Sequence, residues 1–121
     1  IFADDTNGKS NILFPYTAKH SPFCGITGVR LFPKDYSMMV DNIGNKDNMA
    51  VVITKAPISY SAINAKINAN KAGDFGTRVR NALGNMVIQN VNFATDGKTM
   101  NFATNAPADN RAIVCVVGIR K

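Results

Sequence analysis

The clearest alternation of hydrophobic and polar positions lies around residue 96. Val91 and Phe93 precede Asp96-Gly97, Met100 and Phe102 follow it, and Asn92 and Asn101 fall between the apolar positions. A period of two marks strands. Asp-Gly between two such runs is a two-residue hairpin signal. With Asp96 and Gly97 as the loop, Phe93 faces Met100 and Val91 faces Phe102 on one side of the ribbon. Asn92 then meets Asn101 on the other.

Other runs read as strands from their apolar content and their boundaries. Residues 49–54 form a β-branched run that Pro57 stops, and residues 112–119 are continuously apolar, as in a central strand covered on both faces. Residues 28–32 and 37–41 flank Pro33-Lys34-Asp35-Tyr36, a proline-led link that predicts a hairpin. Residues 11–16 read as an edge strand ended by Pro15. Residues 1–10 read as a polar N-terminal arm with a turn at Asn7-Gly8, and residues 17–25, 42–48 and 105–110 read as loops.

The period changes after Pro57. Tyr60, Ile63 and Ile67 recur at helical spacing, Ser59 stands where an N-cap belongs, and Gly73 follows, predicting a helix over 60–72. Asp74 is positioned to cap a second helix over 75–83, with Phe75, Val79 and Leu83 on one face and Gly84 closing it. Gly76 inside its first turn opposes that helix by up to ~1 kcal/mol. The expected fold is therefore α+β. It is a single domain over 1–121, with a mainly antiparallel sheet of five to seven strands and two short helices inserted mid-chain.

Composition sharpens this picture. The chain has 121 residues, 45% of them hydrophobic and 18% charged, enough for one core. All eight acids are Asp, Glu is absent, Gln occurs once and Asn 15 times, which favours strands, caps and turns over long helices. No apolar run is long enough to span a bilayer as a helix.

The net charge of +6 favours anionic partners. Docking of the two helices would gather Lys66, Lys71, Arg78 and Arg80 into a polyanion-binding patch. Base stacking would need exposed aromatics. Phe32, Phe75, Phe93 and Phe102 fall at expected core positions, leaving Tyr16, Tyr36 and Tyr60.

Catalytic signals are few. His20 is the one histidine, and His20 with Cys24 has no second pair to complete a tetrahedral metal set. A Cys24–His20 nucleophile pair oriented by Asp4, Asp5 or Asp35 matches no catalytic signature. No phosphate-binding glycine loop is present. No catalytic residue, metal ligand or cofactor is assigned.

The start at Ile1, with Ala3 ahead of Asp4-Asp5, is read as a processed N-terminus of an extracellular or periplasmic protein. In that setting Cys24 and Cys115 would form one disulfide, stabilising by about 4 kcal/mol in the chain-entropy account. The edge at Asn11, Ile12, Leu13 and Phe14 would pair with another chain by strand addition. The expectation is an exported structural or adhesive protein, not an enzyme, that binds itself, another protein or a glycan surface. The alternative is a basic nucleic-acid or polyanion binder, including a viral coat-like role.

Overall fold

The fold is taken from a computed structural model. It describes residues 1–17, 19–25, 32–33, 37–39, 41–89, 91–95, 100–104 and 111–121, with 92–95 and 100–103 described at the level of the backbone. The order is β1 (Phe2–Asp4), β2 (Ser10–Ile12), β3 (Lys46–Thr54), α1 (Tyr60–Ala69), α2 (Phe75–Leu83), a 3₁₀ turn (Gly84–Met86), β4 (Asn92–Thr95), β5 (Met100–Ala103) and β6 (Ala112–Arg120). Strands pair antiparallel in the order β2-β1-β3-β6, and β4 and β5 form a separate ribbon. This is an α+β architecture.

The helices begin where their caps predict. Ser59 Oγ accepts from the Ala62 N–H at 3.4 Å, and Asp74 Oδ1 accepts from the Thr77 N–H at 2.8 Å. α1 stops at Ala69, short of residue 72. The Asn70 Oδ1 accepts from the Ala72 N–H at 3.1 Å and draws the backbone into a turn. Gly73, at φ +84°, then redirects the chain into α2, and Gly84, at φ +59°, closes that helix.

Both helices pack on one face of the sheet. Phe2, Ala50, Ala112 and Val114 meet Ile63 and Ile67 of α1 and Phe75, Val79 and Leu83 of α2 in the core. Each large aliphatic or aromatic side chain buried there contributes ~1.5–3 kcal/mol. Alternation sends Met49, Val51 and Ile53 of β3, and Ile113, Cys115 and Val117 of β6, to the opposite face.

Several expectations change. The polar arm carries β1, which lies inside the sheet between β2 and β3. Its turn is organised by Asp5, whose Oδ1 accepts from the N–H groups of Asn7 and Lys9, both at 2.9 Å, with Gly8 at φ +75°. β3 begins at Lys46, inside the expected 42–48 loop, because its ladder with β6 runs unbroken from Lys46↔Arg120 to Thr54↔Ala112. Among the described residues β6 stands at the end of the strand order and not at its centre. Its outer side is met at Ala112, where the Ile88 N–H donates to the Ala112 carbonyl at 2.9 Å.

The β4–β5 hairpin forms with a shifted register. Thr95 pairs with Met100 and Phe93 with Phe102, so Phe93 does not face Met100, nor Asn92 Asn101. A two-residue loop would pair Thr95 with Lys98, and residues 96–99, including Asp96-Gly97, lie outside the described residues. The described sheet has four strands, short of five to seven. The hairpin expected over 28–41 falls largely outside the described residues. Its described parts, 32–33, 37–39 and 41, are not in strands.

Candidate functional site

Of the four cations expected in one patch, Arg78 turns inward. It is 5% exposed. Its Nη2 donates to the Ile67 carbonyl at 3.0 Å and its Nε to the Asn70 carbonyl at 3.1 Å, and its guanidinium lies 6.0 Å from the Phe75 ring centroid. It thus caps the C-terminal carbonyls of α1, where a cation is favoured. Lys66, Lys71 and Arg80 remain exposed. The inward turn of Arg78 was not legible, because α2 presents it on the buried side beside Val79 and Phe75 only after the two helices dock.

The expected assembly edge is largely occupied. The Ser10 N–H donates to Asn68 Oδ1 at 2.8 Å, Asn68 Nδ2 donates to the Ser10 carbonyl at 3.0 Å, and Ser10 Oγ donates to Asn64 Oδ1 at 2.8 Å. Two asparagines one helical turn apart on α1 therefore cover the β2 edge. Leu13 and Phe14 turn their N–H groups to the Ile1 carbonyl at 2.8 and 3.3 Å. Asn11 faces Ala3 in the ladder, and Ile12 alone keeps outward backbone groups.

Cys24 and Cys115 are not bridged. Cys24 is exposed, near enough to the Ile1 amino group to act on its charge, whereas Cys115 sits in β6, two strands across from β1. Burial pushes the Cys115 thiol above its ordinary value, with Arg80 opposing the shift. His20 is exposed, with Nδ1 3.2 Å from Thr17 Oγ1 and its ring edge-on to Tyr16 at 4.9 Å. Cys24 Sγ donates to the Pro22 carbonyl at 3.6 Å. Among the described residues, no three His, Cys or Asp side chains converge as metal ligands.

The aromatics divide differently from expectation. Phe32 joins Phe14 and Tyr16 in a cluster of its own, with centroids 5.9 and 6.0 Å away, instead of the helix-backed core. Tyr60 packs half-buried against that core, and Tyr36 and the side chains of Phe93 and Phe102 lie outside the described residues.

One concavity brings charged groups together. It measures about 330 Å³ and lies between the first turn of α2 and the β3–β6 ladder. Lys46 and Arg80 line it with Asn48, Asp74 and Val116. Asp4 fixes Asn48: Asp4 Oδ1 accepts from the Asn48 N–H at 3.0 Å and Asp4 Oδ2 from Asn48 Nδ2 at 3.1 Å. The Asn48 Oδ1 is left facing Gly118. The Thr77 N–H holds the Asp74 carboxyl below its usual range, with a smaller contribution from the Arg80 charge. No sequence pattern pointed here, since the residues come from three separate elements.

Comparison with protein-family models, with curated proteins and with solved structures gives no match to this chain. The surface of the described residues carries large exposed apolar side chains. Its most unusual feature is the connection between β2 and β3, where Phe23 is 82% exposed, Met39 95% and Ile43 57%. Among the described residues, no helix is long and apolar enough to cross a membrane.

Proposed function

We propose that this chain is an exported interaction protein, a subunit of an extracellular assembly or a surface-binding module, acting by binding without turnover. The observation that carries this reading is the exposure of Phe23, Met39 and Ile43 on one connection. Single exposed apolar residues are ordinary, but three large ones on one segment leave apolar surface that a partner would remove from water. On the same connection His20 meets Thr17 and the Cys24 thiol donates to the Pro22 carbonyl.

Sedimentation velocity across a concentration series tests the reading. The protein should self-associate as concentration rises, and the double variant Phe23→Ser, Met39→Ser should remain monomeric. A wild-type protein that stays monomeric throughout, or a double variant that associates as well as wild type, defeats the assembly reading. Recovery of the protein solely from the cytosol of its native cells would defeat export.

A further inference from the structure

We propose that the concavity between α2 and the β3–β6 ladder binds a carboxylated sugar, with Arg80 and Lys46 holding its carboxylate. It uses none of the residues on which the assembly reading rests, so the two stand or fall separately.

Two glycines seat the two cations. A Cβ on Gly76 would lie 2.9 Å from Arg80 Nη1 and 3.2 Å from Val116 Cγ2. A Cβ on Gly118 would meet Lys46 Cε and lie 3.1 Å from Lys46 Nζ. Neither glycine has a positive φ, so the backbone does not require it. Glycine opposes both a helix and a strand interior. Its presence at both places lets Arg80 lie back over the first turn of α2 and Lys46 lie across β6. Both side chains then line one hollow. Neither cation has an ion-pair partner among the described residues.

The remaining groups select the ligand. A guanidinium matches the planar carboxylate in a bidentate pair, and an ammonium adds a point charge. Asn48 Oδ1, oriented by Asp4, and the Asp74 carboxylate accept hydrogen bonds and offer none, which suits the hydroxyls of a sugar. The Asp74 charge also repels a doubly charged phosphate more than a singly charged carboxylate. About 330 Å³ is at the lower end of small-molecule sites and holds one sugar ring.

Amide-resolved NMR titration with sodium glucuronate, glucose and glucose 6-phosphate decides the matter. Glucuronate should shift the Asn48, Gly76 and Gly118 amides saturably, at least tenfold more tightly than either of the other two. Arg80→Gln should weaken it at least tenfold with the remaining spectrum unchanged. Gly76→Ala should do the same while leaving the thermal midpoint unchanged or raised. Lys46→Gln supplies the same reading if Arg80→Gln does not fold. Absence of saturable shifts, equal binding of glucose or glucose 6-phosphate, or full affinity in the cation variants would overturn the proposal.

Discussion

The side-chain amide of Asn68 does for Ser10 what a neighbouring strand would do, accepting from its N–H and donating to its carbonyl. Ser10 is fully buried, so Asn68→Ala strands two backbone groups away from water. A loss of ~1–3 kcal/mol is expected, read by urea denaturation. Arg78→Met keeps the apolar stem and removes two charge-assisted bonds to α1 carbonyls. The same measurement should show a loss of ~1.5–3 kcal/mol. The cysteines should separate by reactivity. Burial pushes the Cys115 thiol above its ordinary value and half-covers it, whereas Cys24 is exposed. Iodoacetamide followed by peptide mass mapping should label Cys24 well before Cys115 in the folded protein.

At the scale of the element, α2 depends on Asp74. Its carboxyl is held low, chiefly by the Thr77 N–H. A depressed folded pKa means the stabilisation is complete above the ordinary Asp value near 3.8 and disappears as pH falls through the folded value. Asp74→Ala should therefore lower the thermal midpoint at pH 7, and the gap to wild type should narrow as pH falls below 3.8. Caps such as Ser59 and Asp74 act within three residues, which is why both helix starts were legible in the sequence. Strand order was not. The apolar run of β6 suits a central strand, yet its pairing is decided by β3, 58 to 74 residues earlier. The β4–β5 register moved, with Thr95 opposite Met100, because a turn dipeptide alone does not fix the pairing. The candidate site was illegible for a related reason. Lys46, Arg80 and Gly118 come together only through tertiary packing, although the awkward Gly76 was visible as an anomaly within a helix.

For the whole molecule, a net charge of +6 describes attraction more than it describes a site. With Arg78 buried, the patch expected on the helices keeps Lys66, Lys71 and Arg80. Three phosphate contacts would give a log–log salt slope no steeper than about −2 on single-stranded nucleic acid. Fluorescence anisotropy with a labelled oligonucleotide over a salt series checks this, and a much steeper slope would restore the polyanion reading.

The amide clasp that α1 places on β2 also limits how copies of the chain can join. Ile12 alone is too short a stretch for an incoming strand, so the β2 margin is closed to backbone zippering between copies. Assembly on that side must run through side-chain contacts and not through an added strand.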